Sequence, residues 1–168
     1  MEKRGDYKLF YDKISSPLRR YPAGIRFLNR LNTVLTGFVY VAYPAFVLYL
    51  FGSGDKRWLK VTAVPAVFFV LLSVLRRGVN RPRPYESWEI TPLIRKDTKG
   101  KSMPSRHVFS AAIISMAFYS IWPPAGIFLL LWSCLLAAVR VLGGVHYPSD
   151  VLAGLLIGVG TGLLMLTL

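Results

Sequence analysis

Four long stretches of the chain are apolar and contain no Asp, Glu, Lys or Arg. They cover residues 31–54, 61–75, 107–139 and 151–168. A helix needs ~20 predominantly apolar residues to cross the hydrocarbon of a bilayer, and a surface helix of a soluble protein keeps a polar face toward water. The pattern therefore predicts membrane-spanning helices and disfavours the alternative, buried helices of a soluble bundle.

The longest apolar stretch is too long for one span. Trp122, Pro123 and Pro124 interrupt it near its middle, and proline is tolerated in the first turn of a helix but not in its interior. We therefore predict an all-α integral membrane bundle of about five transmembrane helices. The predicted spans lie near residues 33–52, 57–76, 105–121, 124–142 and 149–168.

The first thirty residues have a different composition. They are rich in Lys and Arg, contain Pro17 and Pro22, and interleave aromatic and aliphatic residues with charges. This pattern indicates an interfacial segment that lies on the membrane, although a flexible basic tail has a similar composition. No apolar core of signal-peptide length is present there. We expect residues 1–168 to form a single membrane-embedded domain, with residues 1–30 as its basic interfacial segment.

The basic charge is concentrated in the segments that flank the predicted spans. Charged residues make up 17% of the chain and hydrophobic residues 54%, yet the formal net charge is +13. Basic residues in these segments can meet anionic lipid headgroups and an anionic substrate. No nucleic-acid-binding motif is present, so we expect no nucleic-acid partner. Most basic residues lie on one predicted membrane face, which favours the cytoplasm, but arginines that bind a substrate would weaken that rule, so the side stays open.

Both histidines of the chain, His107 and His146, lie at span ends that face the same side of the membrane. Asp150 follows His146 by four residues, a spacing at which two side chains on a helix meet. A carboxylate that accepts one imidazole N–H leaves the other ring nitrogen free to attack. An unpaired carboxylate at a membrane boundary is costly, so the spacing predicts a catalytic pair, although an acid here would also favour the helix dipole.

Six arginines fall at the same membrane face. They are Arg76, Arg77, Arg81, Arg83, Arg106 and Arg140. The guanidinium fork matches the oxygens of phosphate, and several guanidinium groups aimed at one point would stabilise a phosphoryl group in its transition state. We expect Arg77 and Arg81 to anchor lipid headgroups and Arg76, Arg83 and Arg140 to hold an anion, whereas the role of Arg106 stays open.

Three groups of these residues resemble the motifs of the type 2 phosphatidic acid phosphatase family. The first comprises Arg76 and Arg83-Pro84, the second Pro104-Ser105-Arg106-His107, and the third Arg140, His146 and Asp150. They occur in the order of the family's motifs and at the span ends where that family keeps them. The vanadium haloperoxidases carry similar motifs but are soluble, so the predicted spans favour the membrane branch.

The resemblance implies a role for each residue. His146 would attack phosphorus and form a phosphohistidine, Asp150 would hold His146, and His107 would protonate the leaving oxygen. The phosphoryl oxygens would be bound by Arg76, Arg83, Ser105 and Arg140, with Arg106 as a further candidate. The family needs no metal or other cofactor, and the sequence has no carboxylate or Cys/His cluster that would predict a metal site.

The chain departs from the family pattern at three positions. Arg76 stands where lysine is usual, which keeps the charge but changes the geometry. Arg106 stands where a glycine usually lets a backbone N–H approach the phosphate closely. Val139 stands where a serine often precedes the motif arginine, which removes one hydrogen bond. The role of the Arg106 side chain is therefore open.

These observations predict a metal-independent membrane phosphatase that hydrolyses a lipid phosphate or pyrophosphate. Members of the family act on undecaprenyl pyrophosphate, phosphatidylglycerol phosphate and phosphatidic acid, and analogy with small members favours the first. We expect a multi-pass protein of a cell membrane, the bacterial plasma membrane. An anion transporter or channel and a non-catalytic protein that binds anionic lipid are the alternatives, but neither accounts for two histidines with one acid.

Four small residues of the last predicted span indicate close helix packing. They are Gly154, Gly158, Gly160 and Gly162. Small residues let two membrane helices approach closely. The sequence does not show whether the second helix belongs to the same chain, so it does not predict the oligomeric state.

Overall fold

A computed structural model describes residues 3–167 of the protein, and side chains from Tyr7 onward. In this part of the chain the regular secondary structure is all helical. The helices are α1 (Lys3–Arg19), α2 (Pro22–Gly52), α3 (Arg57–Val79), α4 (Pro84–Ser87), α5 (Arg106–Tyr119), α6 (Pro123–Leu142) and α7 (Pro148–Thr167). This architecture confirms the predicted all-α membrane bundle.

Four stretches of helix are long and apolar enough to cross a membrane. They are α2 (Pro22–Gly52), the segment Arg57–Ser87 that contains α3 and α4, α6 (Pro123–Leu142) and α7 (Pro148–Thr167). Their outer faces expose large apolar side chains such as Val41, Val70, Leu131 and Leu156, each at least half exposed. An apolar surface of this extent would be unfavourable in water and is suited to contact with lipid tails.

The fifth predicted span, residues 105–121, corresponds to α5, which has only 14 residues. The helix lies in the centre of the bundle, packs most extensively on α6 and α7, and also contacts α2 and α3. Eight of its residues are buried. Helix α5 is therefore surrounded by protein rather than lipid, and its length is set by its neighbours rather than by the thickness of a bilayer.

The predicted helix starts agree with the structure where proline marks them. Pro123 and Pro148 begin α6 and α7, as expected for a residue whose missing N–H has no helical partner in the first turn. Helix α2 instead begins at Pro22, well before the predicted start at residue 33. The apolar pattern marks only the part of a helix that lies in hydrocarbon, whereas the helix itself continues through the polar residues before it.

Helix α1 packs against the protein through its aromatic residues. Tyr11 is fully buried, and its hydroxyl donates to the carbonyl oxygen of Leu142 at 3.4 Å and accepts from the backbone N–H of Leu93 at 3.3 Å. The Tyr7 ring lies 4.8 Å from the ring of Tyr147. The interfacial position expected for residues 1–30 stays a prediction, but α1 lies beside the loop that carries His146.

Three of the four glycines in α7 allow close packing on α5 within the chain. A Cβ atom on Gly154 would lie 2.7 Å from the carbonyl oxygen of Ser105, and one on Gly158 would lie 2.7 Å from the Cβ of Ala112. Gly162 is equally crowded by Met116, whereas Gly160 has no neighbour within 4 Å. The close approach of these two helices places the start of α5 beside the start of α7.

We predict that Gly158→Ala destabilises the protein, because the added methyl group would push α5 away from α7. Overpacking of this kind costs about 1–3 kcal/mol. Gly160→Ala is the matched control. It faces open space and should raise stability by up to ~1 kcal/mol through its helix propensity. Thermal unfolding in detergent measures both effects, and equal melting temperatures for the two variants would contradict the packing argument.

Candidate active site

The predicted site residues come together at one end of the bundle, where α3 and α6 end and α5 and α7 begin. A cavity of about 330 Å³ opens there, and its wall includes five of the eight, namely Arg76, Arg83, Arg106, His107 and His146. Asp150 and Ser105 are buried behind the wall, and the backbone N–H of Ser105 donates to the carbonyl oxygen of Asp150 at 2.8 Å. Arg140 is buried at the end of α6.

His146 and Asp150 form a buried pair. The Nδ1 atom of His146 lies 3.5 Å from Oδ2 of Asp150, and both side chains are at most 1% exposed. The predicted contact is present, but its geometry differs from that of two residues on one helix, because His146 precedes α7 and lies in the loop that turns at Gly144 (φ +72°). Oδ2 of Asp150 accepts the backbone N–H of Tyr147 at 2.9 Å, so the carboxylate also caps the start of α7.

Two further side chains form hydrogen bonds with Asp150, and the sequence predicted neither contact. The Ser102 hydroxyl donates to Oδ2 of Asp150 and lies 3.4 Å from Nδ1 of His146. The Nη1 atom of Arg81 lies 2.8 Å from Oδ1 of Asp150 and donates to it. The expectation that Arg81 anchors lipid headgroups is wrong, because its charge is paired with this carboxylate. Both residues lie in an irregular segment, where no periodicity indicates which side chains face the site.

Burial lowers the pKa of His146 to about 4. The positive charges of Arg140 and Arg83 act in the same direction, whereas the hydrogen bond to Asp150 opposes them. At neutral pH the imidazole is therefore uncharged, and an uncharged ring with Nδ1 turned toward Asp150 can present Nε2 as a lone-pair donor. The cavity wall includes His146, so the uncharged ring borders the cavity.

Three buried arginines surround this end of the bundle, each tied to a different element. Arg83 precedes α4 and donates to the carbonyl oxygens of Val145 at 3.0 Å and Gly100 at 3.2 Å. Arg76, in the last turn of α3, donates to the carbonyl oxygen of Lys101. Arg140 donates to the side-chain oxygen of Asn32 on α2 at 3.1 Å. The site therefore brings together α2, α3, α6 and the segment between α3 and α5.

Several buried donors of the site have no hydrogen-bond partner among residues 3–167. They are Nε of Arg76, Nε and Nη2 of Arg140, and Oγ of Ser105. A buried polar group without a partner costs about 1–3 kcal/mol, and more when charged. Donors left in this state beside a basic cavity favour an anion as the occupant. No group of three or more His, Cys, Asp or Glu in the described residues could hold a metal ion.

An apolar groove adjoins the basic cavity. It has a volume of about 450 Å³ and lies between α2, α3 and α5, with Tyr40, Tyr43, Phe69 and Phe109 among its lining residues. His107 lines both the groove and the basic cavity. Arg106, at the start of α5, is exposed, and its guanidinium carbon lies 5.4 Å from the centre of the Phe69 ring. The two spaces therefore meet at the N-terminus of α5.

Comparison with known proteins identifies a family and several relatives of this chain. The profile of the PAP2 superfamily matches residues 57–168, which contain every predicted site residue, and it confirms the resemblance seen in the motifs. The lipid A 1-phosphatases of Rhizobium johnstonii and Rhizobium etli are each 27% identical to the chain. The first alignment covers 85% of this chain and 67% of the relative, and the second covers 82% and 68%.

Two solved structures share the architecture. The crystal structure of Aquifex aeolicus LpxE is 25% identical, has a TM-score of 0.75, and is matched over 95% of this chain and 93% of its own. The PAP2-type phosphatidylglycerolphosphate phosphatase of Bacillus subtilis is 22% identical, with a TM-score of 0.68 over 97% of this chain and 86% of its own. The second likeness shows the fold alone.

We predict that His146 makes the stability of the protein depend on pH. Its pKa is about 4 in the folded protein and 6.5 ordinarily, so the unfolded chain takes up a proton first as the pH falls. The stability of the folded protein should therefore decrease as the pH is lowered from 6.5 to 4. The stability of His146→Gln should depend less steeply on pH over this range. Thermal unfolding of both proteins across this range is the measurement, and an identical slope for the two would contradict the assignment.

Proposed function

The chain belongs to the PAP2 superfamily and is a membrane lipid phosphatase, and from this premise we propose that it hydrolyses a lipid phosphate or pyrophosphate through a phosphohistidine intermediate. The observation that carries the proposal is the buried His146–Asp150 pair, 3.5 Å apart, on the wall of a cavity lined by arginines. Family membership favours hydrolysis over the alternatives of anion transport and passive lipid binding.

In the first step, Nε2 of His146 attacks phosphorus. A nitrogen–phosphorus bond forms as the bond from phosphorus to the lipid oxygen breaks. His107, whose protonated form is favoured by the negative charge of the bound substrate, donates a proton to that oxygen. Asp150 accepts the Nδ1 proton of His146 in a hydrogen bond and stabilises the positive charge that develops on the ring. Arg76, Arg83 and Arg140, with Ser105, stabilise the charge on the phosphoryl oxygens.

In the second step, water attacks the phosphohistidine. His107, which has given up its proton, accepts one from the water as the new oxygen–phosphorus bond forms and the nitrogen–phosphorus bond breaks. Inorganic phosphate leaves, and both histidines return to their starting protonation states. The step needs no metal or other cofactor, because the positive charge is supplied by the arginines.

The apolar groove supports a lipid as the substrate. A substrate whose phosphate enters the basic cavity would place its chains in the groove, which reaches the cavity at His107. The relatives from Rhizobium are named for action on lipid A. Lipid A therefore joins undecaprenyl pyrophosphate, phosphatidylglycerol phosphate and phosphatidic acid as a candidate substrate, and the bacterial plasma membrane is the proposed location.

The proposed reaction predicts phosphate release from at least one of these four lipids by the purified protein in detergent. Release should continue in excess chelator and should fall by at least ~10³-fold in His146→Ala, because the nucleophile itself is removed. Labelled phosphate from the substrate should also be trapped on the wild-type protein and should be absent from the variant.

The control for folding is Gly160→Ala, which lies in open space on α7 and should hydrolyse as the wild type does. Equal release by the wild type and His146→Ala would rule out the phosphohistidine. Release abolished by the chelator would instead contradict the metal-independent mechanism. The lipid that is hydrolysed with the highest kcat/KM identifies the substrate.

We also predict that Arg81 positions Asp150 and, through it, His146. Arg81→Ala should lower kcat by up to ~100-fold, because a displacement of about 1 Å in a reacting group has that effect, while KM changes little. Arg81→Lys retains the charge beside Oδ1 of Asp150 and should recover part of the loss. A variant whose KM rises while kcat is unchanged would instead show that Arg81 binds the substrate.

A further inference from the structure

The positive charge of the cavity is arranged in two layers. Arg76 and Arg83 are buried, at 8% and 4% exposure, and form the inner layer with the buried Arg140. Lys96 is half-buried and Arg106 is exposed, and both line the cavity and form its outer, more accessible layer. The outer layer also contains the exposed residues Arg77, Lys99 and Lys101.

The inner layer is sufficient for the phosphoryl group that His146 attacks. The partnerless donors of the site all belong to it, because they lie on Arg76, Arg140 and Ser105. Three guanidinium groups also exceed the two negative charges of a terminal phosphoryl group. The outer layer is therefore available for a different part of the substrate.

The cavity has room for more than one phosphate group. Its volume of about 330 Å³ corresponds to roughly ten water molecules at ~30 Å³ each, whereas a phosphate group has only five non-hydrogen atoms. Residues of the outer layer line this cavity, and His107 lines both the cavity and the apolar groove.

Lys96 lies in surroundings that favour an additional anion. Burial lowers its pKa to about 7, and the charges of Arg140, Arg83, Arg76 and Arg106 act in the same direction. No ion pair to Lys96 or Arg106 is formed in the described part of the chain. A partly buried cation surrounded by other cations is unfavourable unless an anion compensates it.

Arg106 lies where such an anion would be expected. Its guanidinium rests over Phe69, at the place where the groove and the cavity meet beside His107. When His146 attacks the terminal phosphoryl group, any further anionic group between that phosphorus and the lipid chains must pass this junction. The side chain that stands in place of the family's glycine thus lies at this junction.

We propose that Lys96 and Arg106 bind a second phosphate-derived anion of the headgroup, so that the preferred substrate carries negative charge beyond the phosphoryl group that is removed. The inference rests on the proposed phosphatase function. The second anion has two possible sources with the same chemistry. It is the inner phosphate of a lipid diphosphate, or it is a separate phosphodiester such as that of phosphatidylglycerol phosphate.

Two pairs of substrates with matched chains test this proposal. Polyprenyl diphosphate is compared with polyprenyl monophosphate, and phosphatidylglycerol phosphate with phosphatidic acid. The wild type should prefer the more anionic member of at least one pair by ~10-fold in kcat/KM, about 1.4 kcal/mol. Lys96→Ala and Arg106→Gly should each reduce that preference several-fold. A preference confined to the first pair assigns the anion to a diphosphate, and one confined to the second assigns it to a phosphodiester.

Arg95→Ala is the matched control, because Arg95 is exposed, adjoins Lys96 in sequence and does not line the cavity. It removes the same charge and should keep the preference of the wild type. Equal kcat/KM within both pairs, or equal losses on both members in Lys96→Ala and Arg106→Gly, would overturn the inference while leaving the phosphatase function intact. Absence of release from every lipid would overturn the proposed function instead.

A measurement that does not depend on turnover tests the second anion site separately from the phosphatase function. Inorganic pyrophosphate should raise the melting temperature of the wild type more than inorganic phosphate does at equal concentration, because only the former reaches both layers. Lys96→Ala should lose that difference and Arg95→Ala should keep it. Equal stabilisation of the wild type by the two anions would count against a second anion site, whatever the activity.

Discussion

The carboxylate of Asp150 is the constraint on which the site depends, because a buried charge at the edge of a membrane bundle must be compensated from several directions. The two carboxylate oxygens accept hydrogen bonds from Arg81, Ser102 and the backbone N–H of Tyr147. The backbone carbonyl oxygen of Asp150 accepts a hydrogen bond from the backbone N–H of Ser105. One residue thereby connects α7, α5 and the segment between α3 and α5. The same contacts hold the carboxylate beside His146, so the groups that compensate the buried charge also position the imidazole.

The packing of α5 on α7 brings these groups within reach of one another. Gly154 leaves so little space that a Cβ there would lie 2.7 Å from the carbonyl oxygen of Ser105, and the neighbouring backbone hydrogen bond joins Ser105 to Asp150 at 2.8 Å. A wider separation of the two helices would break that bond and withdraw Ser105 from the site. The small residues of α7 therefore serve the geometry of the site as well as the stability of the bundle.

The sequence allowed most of the fold to be predicted, because uncharged apolar stretches mark the helices and prolines such as Pro148 mark their starts. The pair His146 and Asp150 could be predicted from spacing. Ser102, Arg81 and Lys96 could not, because they lie in an irregular segment whose side-chain directions depend on contacts with distant residues. The central position of α5 could not be predicted from the sequence either, because an apolar helix surrounded by protein has the same composition as one surrounded by lipid.

The place where the two cavities meet supports the proposed role of His107 without reference to any relative. A substrate with a single phosphate that bound with its phosphoryl group in the basic cavity and its chains in the apolar groove would place the oxygen that joins them at the junction. In the proposed mechanism, that oxygen is the leaving group when His146 attacks from inside the basic cavity. His107 lines both spaces, so it lies where the proposed mechanism places its general acid. The division of the substrate between polar and apolar surroundings thus determines where a general acid has to lie.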